Sequence, residues 1–188
     1  MNVRSHQHGL VERETRLCVA ANRWGRRSAV RSYFAAASRL GDGVFWYALM
    51  ALIVLVRAIE GQWLDGLRAS AHMAATGVVA LLLYRWLKRY TRRPRPYADD
   101  ARIAALVPVL DEFSFPSGHT LHAVSFTLVA LGHYPMLAWL LIPFSASVAV
   151  SRVVLGVHYP SDVLAATAIG TAIASVSLWL VPGATLFG

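Results

Sequence analysis

Cysteine, acidic residues and charge of any sign are scarce in this chain. Cys18 is its single cysteine, which excludes an internal disulfide framework. Charged residues make up 15% of the 188 positions, against roughly 25% in an ordinary soluble domain. Acidic residues number 10 against 18 basic ones, leaving a net charge of +8 carried almost entirely by arginine. No cluster of His, Cys and carboxylate occurs at ligand spacing, so no metal is indicated and no cofactor is called for. No nucleic-acid motif accompanies the basic excess. A secretory leader is not recognisable either. Met1 to Gly9 are polar, lack an apolar core and are expected to be flexible, leaving insertion to internal spans.

What the chain has instead is apolar sequence in long runs. It is 56% hydrophobic, and a membrane helix needs about 20 predominantly apolar residues. Five runs qualify or nearly do: 44–59, 67–87, 119–134, 136–155 and 163–181. In the second, Arg68 and Arg85 sit near the ends and can snorkel. Pro143 falls inside the fourth and is expected to kink it. Trp46, Trp63, Trp86, Trp139 and Trp179 fall near span ends or lipid faces and read as interfacial anchors. The segment 12–40 mixes arginine with Leu17, Trp24, Tyr33 and Phe34. It reads as one or two amphipathic helices in the interface. The expected fold class is therefore all-α, a polytopic transmembrane bundle of about five spans preceded by amphipathic interfacial helices. The division is 1–40, polar tail and interfacial segment, and 41–188, transmembrane domain.

Three polar segments sit at span ends: Lys88-Arg-Tyr-Thr-Arg-Arg-Pro-Arg95-Pro96, Pro116-Ser117-Gly118-His119, and Ser151-Arg152 through His158 to Asp162. In an alternating bundle these ends share one membrane face and can converge. Lys88, Arg95 and Arg152 then offer three cations, suited to forking onto phosphate oxygens. Ser117 and Gly118 precede a helix whose N-terminal amides form an anion site. His158 and Asp162 are one helical turn apart, so the carboxylate can fix the imidazole tautomer and free the other nitrogen as nucleophile. Ser161 is expected to cap the last span. His119 faces the leaving group as general acid.

Blander readings exist for each residue. His119 and His158 also fit satisfied buried histidines. His122, one turn past His119, could line the site, and a packing or hydrogen-bonded role is the blander reading. His72 should face the bundle interior, while His133 reads as interfacial and His6 and His8 as tail. Asp99, Asp100, Asp111 and Glu112 read as a solvated loop, with a cation site at the mouth as the sharper alternative. Arg92 and Arg93 fit either interfacial anchoring or a second phosphate.

With these residues in place, the chain resembles the type 2 phosphatidic acid phosphatase (PAP2) superfamily, in its bacterial integral-membrane branch. That family's motifs read K-x6-R-P, P-S-G-H and S-R-x5-H-x3-D, and every specified position matches. The resemblance implies a metal-independent phosphatase working through a phosphohistidine. His158 would be nucleophile, His119 acid and Asp162 the orienting partner. Lys88, Arg95, Ser117, Gly118 and Arg152 would bind phosphate. It also implies a lipid phosphate or diphosphate as substrate partner. Undecaprenyl diphosphate, phosphatidic acid, phosphatidylglycerol phosphate and other polyprenyl phosphates are the candidates. Two alternatives remain: a non-catalytic lipid-binding or translocating membrane protein, and a vanadium haloperoxidase-like enzyme. The commoner membrane members have six spans. Here the first is missing, replaced by the arginine-rich stretch.

The expected location is the bacterial cytoplasmic membrane. Residues 1–43 carry eight arginines against three acidic residues. The positive-inside rule puts that end, and after two spans the site, on the cytoplasmic face. Bacterial relatives more often work on the outer face. Sequence fixes no oligomeric state.

Overall fold

Each apolar run forms a helix. The computed structural model describes residues 3–109 and 111–181, and among these no strand occurs. The helices are α1 (Val3–Gly25), α2 (Ser28–Gly41), α3 (Val44–Ile59), α4 (Trp63–Thr91), α5 (Pro96–Asp99), α6 (Gly118–His133), α7 (Ala138–Val154) and α8 (Pro160–Leu180). A 3-10 turn, Pro135–Leu137, leads into α7. From Val3 onward the polar N-terminal stretch is helical rather than an open tail.

Three stretches are long and apolar enough to cross a membrane: α4 continued to Asp99, the turn with α7, and α8. The pair α2 and α3, bent by 55°, makes a fourth if taken as one span. The count of about five is thus approximate for a physical reason. Helices α3 and α6 have 16 residues each, which rise about 24 Å against a hydrocarbon core of about 30 Å.

Helix α6 is the hub, packed against α4, α7 and α8. Small residues allow that approach. A Cβ on Gly170 of α8 would lie 3.0 Å from the Leu121 carbonyl of α6. The apolar core gathers Trp46, Met73, Val129, Leu141 and Val148. Burying a large side chain of this kind is worth about 1.5–3 kcal/mol relative to water. Trp46 is fully buried there, so it is a core residue and not an anchor. Trp63, Trp86, Trp139 and Trp179 are exposed on the outer surface, as an anchoring role requires.

Helix α1 lies against α7 and α8. Its inward stripe is Glu14, Cys18 and Asn22, spaced four apart so that they share a face. Asn22, fully buried, donates from Nδ2 to the Ala104 carbonyl at 2.9 Å and accepts the Ala104 amide at 3.0 Å. The amphipathic helix is therefore bolted to the loop that follows α5 as well as facing outward.

Candidate active site

The three motif segments meet in one cavity. Arg92 adopts a left-handed conformation (φ 48°, ψ 32°) and stops α4. Pro96 then opens α5 at its first position, where a missing amide costs nothing. The turn between them carries Arg95 inward, to 3% exposure. Ser117 is the N-cap of α6, its hydroxyl accepting from the Thr120 amide at 3.4 Å. After α7 the chain wraps around the Arg152 carbonyl, which accepts the Val157 and His158 amides, both at 3.1 Å. That wrap needs Gly156 at φ 76°. A Cβ there would fall 2.5 Å from the Ala104 carbonyl oxygen.

The cavity measures about 1180 Å³. Lys88, Arg95, Arg152, His119 and His158 line its polar end, together with Gly118. Its other wall is apolar and includes Trp46, Met50, Val78, Leu81 and Phe126 from α3, α4 and α6. Arg39, Arg85 and Arg89 add further positive charge to the lining.

His158 is almost fully buried. Its Nε2 lies 3.4 Å from Arg95 Nη1. Its Nδ1 lies 3.5 Å from Asp162 Oδ2, an approach longer than a hydrogen bond, and has no other partner. Burial first, then the positive charges of Arg152, Arg95 and Lys88, hold this imidazole well below its ordinary pKa. The ring is neutral at pH 7, as a nitrogen nucleophile must be. Asp162 is behind it, with no exposed side-chain surface. Its Oδ2 accepts the Tyr159 amide at 2.9 Å, and its carbonyl accepts the Ser117 amide at 3.3 Å. Motifs two and three are thereby tied backbone to backbone.

Four sequence expectations change on contact with this geometry. Ser117 lies beneath the site rather than in it: its amide serves Asp162 and its hydroxyl pairs with Thr120. Of the two, Gly118 is the one on the cavity wall. Ser161 is not a cap, because Tyr159 holds that position and Pro160 the next. Asp111 is exposed, as a loop residue is expected to be, but it is not free. Its carboxylate bridges Lys88 Nζ, at 2.7 and 2.8 Å, and Arg95 Nη2, at 2.6 Å. Burial would raise its pKa, but the hydrogen bonds and charge of Lys88 and then Arg95 outweigh that and hold it below the usual carboxylate range. Arg93 faces neither headgroup nor second phosphate: it pairs with Glu14 at 2.8 Å and Asp162 at 2.8 Å.

Two further acidic contacts escaped the sequence reading. Asp42, at the corner between α2 and α3, pairs with His119 Nε2. Glu14 accepts from Arg93 and from the Ser161 amide. Arg152 donates from Nη1 to Ser38 Oγ of α2. His122 lines the cavity, with Nδ1 3.1 Å from the Gly118 carbonyl and Nε2 3.2 Å from the Gly77 carbonyl, so that its N–H can donate to one or the other according to tautomer. His133 is not simply interfacial: its Nε2 lies 3.0 Å from His72 Nδ1 in the bundle. Among the described residues, no group of three or more His, Cys, Asp or Glu side chains is arranged to hold a metal ion.

Comparison with known proteins gives this geometry its family. The model of the PAP2 superfamily matches residues 67–186. Undecaprenyl-diphosphatase BcrC of Bacillus subtilis is 30% identical over 122 residues, 63% of this chain and 61% of that protein. The match therefore spans less than two thirds of that relative's length. Decaprenylphosphoryl-5-phosphoribose phosphatase of Mycobacterium tuberculosis is 32% identical over 142 residues, 74% of this chain and 73% of that one. A transmembrane PAP2-type phosphatidylglycerolphosphate phosphatase from Bacillus subtilis has the same fold. Its TM-score is 0.74 at 24% identity, covering 96% of this chain and 90% of that one. With the matched region covering more than half of its length and all three motif segments meeting at one cavity, the chain belongs to the PAP2 superfamily.

Proposed function

We infer that this integral-membrane protein is a lipid phosphatase that works through a phosphohistidine on His158, with no metal or cofactor. One observation carries the reading. A buried, neutral imidazole presents Nε2 to a cluster of three cations at one end of a cavity whose other wall is apolar.

In the first step Nε2 of His158 attacks phosphorus in line. The N–P bond forms as the bond to the leaving oxygen breaks, and His119 delivers a proton to that oxygen. Lys88, Arg95 and Arg152 stabilise charge on the equatorial oxygens, with the Gly118 end of α6 adding its helix terminus. Ser117 contributes by capping that helix. Asp162 orients His158 and offsets positive charge on its ring. In the second step His119 takes a proton from water, whose oxygen bonds to phosphorus as the N–P bond to His158 breaks, returning the neutral imidazole and freeing inorganic phosphate.

The substrate is a membrane lipid carrying a phosphomonoester or diphosphate. The apolar wall suits an acyl or polyprenyl chain, and the named relatives act on polyprenyl and glycerol lipids of this kind. Arg39, Arg85 and Arg89 give the cavity charge for a second phosphate. The chain divides functionally at about residue 40 into an interfacial segment and the catalytic bundle. The arginine excess of residues 1–43 favours a site on the cytoplasmic face of the bacterial inner membrane. Labelling of an Asp100→Cys variant by an impermeant thiol reagent in intact spheroplasts would reverse that orientation. The native Cys18 is buried and gives little background.

The test of the activity is phosphate release from a panel of lipid phosphates by purified protein with chelator present. Release that depends on His158 is expected. Release no faster than from His158→Ala across the panel would sink the reading.

A further inference from the structure

Asp162 has no exposed side-chain surface, and Tyr159 and Arg93 dictate where its two oxygens point. Oδ2 takes the Tyr159 amide and faces His158 Nδ1. Oδ1 takes Arg93 Nη1 at 2.8 Å. Arg93, although partly exposed, is itself held by several partners. The same Nη1 donates to Ser161 Oγ at 2.6 Å, and Nη2 donates to Glu14 Oε2 at 2.8 Å. The guanidinium carbon lies 4.0 Å above the Tyr159 ring, a close cation–π stack. Its main-chain carbonyl accepts the Ser114 amide at 2.9 Å. The other oxygen of Glu14, Oε1, accepts the Ser161 amide at 2.7 Å, in the first turn of α8. One carboxylate on α1 thus spans both the guanidinium and the helix end that carry Asp162.

We propose that Arg93 and Glu14 are positioning residues for the nucleophile, acting as a relay from α1 through Asp162 to His158. The proposal rests on the reading of His158 as nucleophile. Arg93 lies between the matched arginine and lysine of the first motif, and Glu14 lies outside the region matched to the family, 144 positions before His158. The geometry gives each a specific task. Nη1 of Arg93 holds Asp162 Oδ1 while Nη2 holds Glu14, so that Oδ2 stays facing Nδ1 at 3.5 Å, where its negative charge favours the proton on Nδ1 and leaves the lone pair on Nε2. A charge partner on the far side of the guanidinium stops it from swinging toward solvent. Because Arg93 touches neither the cavity's cations nor the substrate, its loss should slow chemistry and leave binding nearly intact.

The experiment compares wild type, Arg93→Gln, Arg93→Lys, Glu14→Gln, the double variant and His158→Ala on one lipid phosphomonoester. Glu12→Gln, an exposed neighbour on α1, is the control. Arg93→Gln should lower kcat about 10- to 100-fold, the range typical of groups that orient a working imidazole, with KM within about 3-fold. Arg93→Lys should recover part of that loss, since an ammonium keeps the charge beside Asp162 but cannot fork between Asp162 and Glu14 as the guanidinium does. Glu14→Gln should fall less, and the double variant should be no worse than Arg93→Gln, as members of one relay require. Nitrogen-15 imidazole spectra give a readout that folding alone would not move: His158 should lose its fixed Nδ1–H tautomer in Arg93→Gln. Arg93→Gln with kcat within about 2-fold of wild type, or with the His158 tautomer unchanged, would overturn the proposal. If wild type is no faster than His158→Ala, the phosphatase reading fails, and the tautomer measurement still decides the relay.

Discussion

Both carboxylate oxygens of Asp111 lie within hydrogen-bond reach of the Lys88 ammonium, at 2.7 and 2.8 Å. The same carboxylate holds Arg95 Nη2 at 2.6 Å. A planar anion therefore sits on two of the three cations proposed to bind phosphate. On the proposed function, it competes with phosphate for these donors.

Replacing Asp111 by Asn should accordingly tighten anion binding. Inorganic phosphate should inhibit the Asp111→Asn variant at concentrations about 3- to 10-fold lower, corresponding to about 0.7–1.4 kcal/mol. Without phosphate the variant should unfold at a lower temperature, since the two cations lose their partner, and phosphate should restore it. Weaker inhibition by phosphate would mean that Asp111 helps to hold the substrate.

The pH dependence follows from His158. Its pKa in the folded protein lies well below the unfolded value of about 6.5. Between those values the unfolded chain binds more protons, so stability rises with pH through that window. His158 thus contributes stability that is present above about pH 6.5 and is lost as pH falls toward the folded pKa. Thermal unfolding in detergent should show a lower midpoint at pH 5 than at pH 7.5, with the difference reduced in His158→Gln. Likewise kcat/KM should show no loss from His158 protonation between pH 7.5 and 6.5, since that parameter reports the free enzyme.

His119 is predicted to matter in proportion to how much the leaving oxygen needs a proton. His119→Ala should cost about 10²- to 10⁴-fold on an alkyl phosphate. On an aryl phosphate with an acidic leaving group the first step should largely recover. Phosphohistidine would then accumulate, seen as a burst of phenol followed by slow turnover. An aryl phosphate that gives no burst, its first step slowed as much as that of the alkyl phosphate, would remove His119 from the acid role.

Gly156 gives a stability prediction. Its positive φ and the 2.5 Å approach to the Ala104 carbonyl leave no room for a methyl group. Gly156→Ala should cost about 1–3 kcal/mol and disturb the loop that carries His158. A drop in thermal midpoint together with kcat is the expected result.

Much of this was legible in the sequence, and the remainder was not for identifiable reasons. The five apolar runs predicted helices at the right places because hydrophobic burial leaves a local periodic signal. The motif spacings predicted convergence because Arg152 and His158 are linked by a single backbone wrap. The partners Glu14, Asp42 and Asp111 left no such signal. Each is an acidic residue in a polar stretch, where solvation is the ordinary reading, and each finds its cation or imidazole 16 to 79 positions away. Trp46 was misplaced because an aromatic near a helix start suits an interface, while α3 turns that face into the core.

The central claim is a covalent phosphorus–nitrogen bond on His158. Rapid quenching of purified protein mixed with a lipid phosphomonoester radiolabelled in its phosphate tests it most directly. The account predicts a protein-bound label that is stable to base and labile to acid, maps to the peptide containing His158, and is absent from His158→Ala. Turnover without any such label, or a label that persists in His158→Ala, would contradict it.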